Sequence, residues 1–297
     1  MKPITGLILV IVLVVISPFS ALAESQQDKI LIGLIPEMNV FKQMERFRPL
    51  AQFLSKETGV TVKLTILSRY GNIIERFTNE KMDGAFFGSF TGAMAIQKLG
   101  LVPIARPVNL DGASTYHAHI YTRKESGIKS VKDMKGKKMA FVEKATTAGY
   151  IFPLAYLKEN GVDNIGTFFS EYFFAGSHDA SLVAVLDGKA DIGASKNTVF
   201  EWVKEQDPRV DQEIVILAES AKVPSNGLLV RKGLDRGIID KLKQSLLNLD
   251  SSSEGKEVLK KFRAQKFIET TVDDYKPVFV SAEKAGIDLK TYNYRNE

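Results

Sequence analysis

Ten residues, Phe141-Val142-Glu143-Lys144-Ala145-Thr146-Thr147-Ala148-Gly149-Tyr150, carry the clearest chemical signal in the chain. Apolar strand residues give way to small hydroxyl residues, and a helical pattern then runs to Asn160. The first N–H groups of a helix have no partner inside it, and the helix dipole adds positive potential there, so such a turn attracts an anion. Thr146 and Thr147 add two hydroxyls to that set. The same spacing has a plainer reading, in which either threonine is an N-cap and nothing more.

Other candidates are thinner. His178 follows Ala175-Gly176-Ser177 where a strand yields to a helix, and it can donate a ring N–H to an anion or simply cap that helix. Tyr70-Gly71-Asn72 opens a helix directly after a strand, so Tyr70 reads as a ligand donor or as a half-buried aromatic. His117 and His119 lie two apart in a strand and share one face, which is metal-ligand spacing. With no nearby histidine to complete the set, the reading is a connecting strand and no metal. Phe86 and Phe87 read as core. No nucleophile–base pair shares a site, which argues against an enzyme, and the glycines near 84–92 do not form a nucleotide phosphate loop.

The elements that must position these residues alternate. Strands are expected at Ile30–Pro36, Val60–Leu67, Gly84–Phe87 and Leu101–Arg106, with helices at Arg48–Thr58, Tyr70–Lys81 and Phe90–Leu99 between them. After Asp111-Gly112 a second series begins. Its strands are expected at Thr115–Arg123, Lys137–Val142, Glu171–Ala175, Ala190–Ala194 and Glu213–Ala218, and its helices at Thr147–Asn160, Asp179–Asp187 and Lys196–Lys204. Gly227–Arg231 adds a strand, and three helical stretches close the chain. In the first of these Ile239, Leu242, Leu246 and Leu249 recur at helical spacing, as a core-facing stripe does. Such alternation implies βαβ units and an α/β fold with mainly parallel sheets. No proline- or serine-rich linker divides the two series. The chain passes from one lobe to the other and back, leaving a cleft between lobes where ligands lie at the carboxyl ends of strands.

The N-terminus states where this happens. Lys2, the apolar run Leu7–Ile16 and the small-residue end Ala21-Leu22-Ala23 have the order of a cleaved secretory signal. The run is too short for a spanning helix, which needs roughly 20 residues. The 297-residue chain has no cysteine, which excludes a lipid-anchored cysteine, disulfides and thiolate chemistry together. Residues 1–23 are therefore expected as the signal, and an exported, soluble chain is expected to begin at Glu24. The formal charge of +5 is spread without a dense basic tract, which favours anionic ligands but gives no case for nucleic acid.

Four stretches in order carry a family resemblance: LSRYGNIIERFTNEKMDGAFFGSFTGAMA, KDMKGKKMAFVEKATTAGYIFPLAYL, AGSHDASLVAVLDGKADIGASKNTVFE and VPSNGLLVRK. Together they resemble the phosphate-, phosphite- and phosphonate-binding periplasmic proteins of ABC importers, over nearly all of the chain after residue 23. The resemblance implies the two-lobed type II periplasmic binding protein fold, with 24–115 plus 219–297 as one lobe and 116–218 as the other. It implies that Thr146, Thr147 and the Ala148 backbone hold phosphonate oxygens, joined by Tyr70 and His178. Phe87, Ser89, Asn197 and Asn226 stand as further positions. Members that favour aminoalkyl phosphonates place carboxylates near Thr198 and Asn226. Here both positions are neutral and Lys196 is close, so an ammonium-bearing ligand would lack an ionic partner. The implied partners are a small phosphorus oxyanion and an inner-membrane ABC permease with its ATPase, met in the periplasm by a monomer without a cofactor. A sensing subunit that docks on a membrane kinase or chemoreceptor is the alternative.

Overall fold

The computed structural model describes residues 29–66 and 72–295. Residues 1–23, read as a secretory signal, and Tyr70 lie outside the described residues.

The first half of the chain runs β1 (Lys29–Leu34), α1 (Val40–Thr58), β2 (Thr61–Ile66), α2 (Ile73–Asn79), β3 (Gly84–Phe87), α3 (Ser89–Leu99), β4 (Val102–Asn109), β5 (Thr115–Tyr116), β6 (Ala118–Arg123) and β7 (Lys138–Phe141). A π-helical turn at Thr147–Ile151 leads into α4 (Phe152–Glu159), α5 (Ile165–Phe168), β8 (Glu171–Phe174), α6 (His178–Leu186), β9 (Ile192–Lys196), α7 (Asn197–Gln206), α8 (Arg209–Glu213) and β10 (Ile214–Glu219). The chain ends with β11 (Val223–Pro224), β12 (Gly227–Val230), α9 (Arg236–Leu247), α10 (Ser253–Phe262), β13 (Ala264–Glu269) and α11 (Lys276–Lys284).

These strands form two principal sheets, in the orders β13-β4-β12-β3-β1-β2 and β10-β6-β9-β7-β8, while β5 and β11 pair as a short ribbon. The parallel character expected from the alternation holds where consecutive βαβ units build the sheet, at β2-β1-β3 and at β9-β7-β8. Each sheet is nevertheless mixed. β12 runs antiparallel to both β3 and β4, and β6 runs antiparallel to β9 and β10. β6 and β10 are the strands by which the chain enters and leaves the second sheet, and β12 is the strand of its return to the first. A direct connection reverses direction where a helical crossover would have preserved it.

Apolar faces bury the sheets on both sides. Ile30, Ile32 and Leu34 of β1 pack with Phe47, Leu50 and Leu54 of α1 and with Leu242 and Leu246 of the α9 stripe. The opposite face carries Phe77, Phe87, Phe90 and Tyr275, and this cluster continues into the second lobe through Phe141, Val142 and Ile151. Leu182, Val185, Phe200 and Val203 of α6 and α7 close the back of the second sheet.

Several elements depart from the sequence reading: Thr115–Arg123 divides into β5 and β6, the short α5, α8 and β11 went unread, and two further departures have a plain local cause. Helix α1 begins at Val40, not Arg48, because Asn39 caps it by accepting from the Phe41 N–H, and Pro49 sits inside it. Strand β13 has no alternating signature: only Ala264 and Phe267 are fully buried. It follows α10 with no glycine or proline between, since Arg263 itself takes the left-handed cap at φ 63°. Among the described residues no helix is long and apolar enough to cross a membrane.

Candidate functional site

Four helical N-termini converge on one small cavity between the sheets. Gly88 and Ser89 open α3, Thr146 and Thr147 open the π-helical turn, His178 opens α6, and Lys196 caps α7. α3 and the 147–151 turn bring first-turn N–H groups and the positive end of a dipole to this point. The first N–H groups of α6 and α7 donate to the Glu37 and His117 carbonyls, so those two helices contribute their dipoles and the His178 and Lys196 side chains. The cavity measures about 10 Å³, room for one water and less than a tetrahedral oxyanion fills.

The turn at 146–147 is more than a cap. Thr146 holds the N-cap position, yet its side chain makes no capping bond; its hydroxyl donates to the Glu143 carbonyl at 2.6 Å. The first donor inside the turn is the Ile151 N–H, bonded to the Thr146 carbonyl, so the N–H groups of 147–150 precede the internal ladder. Gly149 makes this geometry possible. A Cβ there would stand 2.3 Å from Val142 Cβ, so only glycine lets the turn lie against the end of β7.

Thr147 Oγ1 lies 2.6 Å from Ser89 Oγ, and Ser89 Oγ lies 2.6 Å from Tyr116 OH. Three hydroxyls carry three protons and share two hydrogen bonds, so one O–H is left to donate elsewhere. Burial raises the Tyr116 phenol above its ordinary value, so it stays protonated at neutral pH.

A buried charge system completes the wall. Lys196 Nζ is 2.8 Å from Glu37 Oε1 and 3.2 Å from Asn226 Oδ1, and it lies over the Tyr116 ring. Arg46 reaches the other Glu37 oxygen at 3.3 Å. Burial alone would raise the Glu37 carboxyl, but Lys196 and Arg46 outweigh it and hold the group down to about 2. His178 is pushed down to about 4, chiefly by burial and further by Lys196, and is therefore neutral at pH 7. Its Nδ1 accepts the Lys196 main-chain N–H at 3.3 Å, which places the ring proton on Nε2, a neutral donor.

The structure thus brings together Thr146, Thr147, Ser89, His178 and Asn226 of the positions read from sequence. Ala148 lies one residue deeper, buried, and can contribute only its backbone N–H. Asn197 is spent on the second sheet: its Oδ1 accepts from His117 N–H and its own N–H donates to the His117 carbonyl. Phe87 is a core residue, fully buried 6.0 Å from the Phe77 ring, and it is Gly88 that reaches the cavity. His178 is not the cap of α6, a role taken by Ser177.

Two lining residues escaped the sequence reading. Tyr116 carries no local signal, because it reaches the cavity only through the β5–β11 ribbon. Glu37 did carry one: it follows Pro36 at the carboxyl end of a parallel strand, where ligands collect. A wider cavity of about 180 Å³, lined by Met38, Leu110, Val199 and Trp202 among others, adjoins the small one and shares Lys196 and Asn226 with it.

Two α/β lobes with an anion-suited cleft between them define a periplasmic-type binding protein. Residues 32–275 match the family model described as the periplasmic substrate-binding protein of an ABC phosphonate transporter, and the chain belongs to that family. It is 29% identical over 236 residues to the phosphate-import protein PhnD of Mycolicibacterium smegmatis, covering 76% of this chain and 73% of that one. It is 26% identical over 271 residues to the probable ABC transporter phosphite-binding protein PhnD1 of Prochlorococcus marinus, covering 88% and 91%. Among solved structures, a binding-protein component of an ABC phosphonate transporter from Pseudomonas aeruginosa superposes with a TM-score of 0.81 at 23% identity, covering 88% of this chain and 87% of that one. PhnD1 of Prochlorococcus marinus, solved with methylphosphonate, gives 0.78 at 24%, covering 88% and 99%.

Proposed function

We propose that this protein captures a phosphorus oxyanion without a cationic substituent (phosphite, phosphate or a simple alkylphosphonate) and delivers it to an inner-membrane ABC permease. The observation that carries this reading is the convergence of four helix N-termini on the Ser89–Thr147–Tyr116 hydroxyls. Neutral donors and dipoles hold an anion there, with His178 Nε2–H and the Ala148 N–H beside them. Tyr70 joins the set through the family resemblance.

Ligand selectivity rests on Glu37. A ligand ammonium needs a carboxylate, and this one already holds Lys196 and Arg46. Burying a second cation against a satisfied pair is unfavourable. The adjoining wider cavity gives a small alkyl substituent a place past Lys196. Capture proceeds without chemistry: His178 Nδ1 is taken by a main-chain N–H and is not aimed as a base at any of the hydroxyls. The secretory pattern of residues 1–23 supports a soluble periplasmic form.

Calorimetry with phosphate, phosphite, methylphosphonate, aminoethylphosphonate and sulfate tests the reading. A phosphorus oxyanion without an amine should bind most tightly. Preference for the amino compound, or no binding of any phosphorus oxyanion, refutes it.

A further inference from the structure

We propose that His117, His119 and Glu219 form a binding site for one divalent zinc-class cation at the crossing between the two lobes. The histidines alone offered two ligands, and strand pairing supplies the third. Glu219 of β10 is the register partner of His119 in β6. One ligand atom from each of the three residues lies within 4.8 Å of the others. His119 Nε2 is 3.3 Å from Glu219 Oε1, and His117 Nε2 is 3.9 Å from the same oxygen. Around a tetrahedral zinc with bonds near 2.0–2.1 Å, ligand atoms stand about 3.3 Å apart. One edge already fits, and the others need to close by an ångström or so.

A second observation points the same way. His119 is only 3% exposed, and both its ring nitrogens are buried without a hydrogen-bond partner. The approach to Glu219 lacks hydrogen-bond alignment, so the ring contacts a carboxylate without being satisfied by it. Buried polar atoms are almost always satisfied, and an orphaned imidazole beside a second imidazole and a carboxylate is a ligand set. His117 and Glu219 are 24% and 56% exposed on their side chains, which leaves an entry path and an open coordination position. The remaining histidine, His178, is in the cleft, and the chain has no cysteine, so no stronger competing set exists among these residue types.

The location gives the ion a consequence. The chain enters the second sheet at Tyr116–Ala118 and leaves it at Glu219–Val223, and the Ala118 N–H donates to Ser220 Oγ between the two passages. A metal held by His117, His119 and Glu219 staples these crossings together. Tyr116, which lines the oxyanion cavity, is the residue before the first ligand.

The test is zinc titration of tag-free protein in phosphate-free buffer, read by competition with a chromophoric chelator and by melting temperature. Wild type should take up one Zn2+ per chain and melt higher with it. His117→Ala and Glu219→Gln remove partly exposed ligands; each should weaken uptake by more than the roughly 10–100-fold that loss of an outer-shell partner costs. Their metal-free melting temperatures check that the fold is retained. Failure of wild type to bind one equivalent, or equal binding by both variants, overturns the proposal. Neither readout depends on oxyanion capture, so failure here is separable from failure of the transport reading.

Discussion

Ser89 Oγ stands 2.6 Å from Thr147 Oγ1, a contact between the first turns of two helical segments that belong to different lobes and lie 58 residues apart. The two hydroxyls satisfy one another across the cleft with the donors that an oxyanion would use. On the proposed function, capture would be an exchange, in which ligand oxygens replace the contact from one hydroxyl to the other.

Thr147→Val follows directly. Hydrogen bonds to a charged group contribute roughly 1.5–3 kcal/mol each, so affinity for the preferred oxyanion should fall by about that amount. Stability without ligand should change by less, since Thr147 caps nothing. Calorimetry and thermal melting on one preparation separate the two. A variant that melts early and binds normally would return the turn to a purely structural role.

Tyr116→Phe removes the outermost member of the hydroxyl chain and keeps the ring under Lys196. Binding should weaken by roughly 1.5–3 kcal/mol, the contribution of one hydrogen bond to a charged group. Unchanged affinity, measured the same way, would place Tyr116 outside the ligand's reach.

Lys196→Met strands the buried Glu37 carboxylate with Arg46 alone. Breaking a buried pair costs about 3–5 kcal/mol, which urea unfolding at pH 7 should show, and Glu37→Gln in the same chain should restore most of it. The single variant should also gain aminoethylphosphonate relative to methylphosphonate. No change in that ratio would mean that Lys196 does not set selectivity.

Stability should fall with acid in two windows. His178 has a folded value of about 4 against the usual 6.5, so the unfolded chain takes up the proton first. Stability then declines as pH drops from 6.5 to 4, at up to about 1.4 kcal/mol per unit from this group. Glu37 is depressed to about 2 from 4.5, so its contribution is complete above 4.5 and disappears as pH falls through 2. Urea midpoints at several pH values should show a shallower first decline in His178→Gln, and an identical slope would exclude the histidine as its source.

The sequence disclosed what is local. The turn at Thr146 and Thr147, the helix start at His178 and the stripe on α9 are written in consecutive residues. Periodicity and small-residue punctuation were enough to place them. What stayed hidden is what pairing creates. Glu219 meets His119 through an antiparallel register, and Tyr116 enters the cleft from a two-residue ribbon. Lys196 was visible as a charge, but its partner Glu37 is 159 residues away. Strand β13 was missed because two inward residues in six make no alternation.

The order of the strands also bears on how the molecule assembles. Every strand of the second sheet lies between Ala118 and Glu219, whereas the first sheet needs β12, from Gly227–Val230, at its very centre. The second sheet is encoded without interruption and can close while the first is still split, with β3 and β4 exposing unpaired edges. On dilution from urea the contiguous sheet has the shorter loops to close, so pulse-labelled hydrogen exchange should find β6, β7 and β9 protected before β3 and β4. Until β12 arrives, the half-built sheet is the part of this molecule most open to wrong pairing, and the natural client for a periplasmic chaperone.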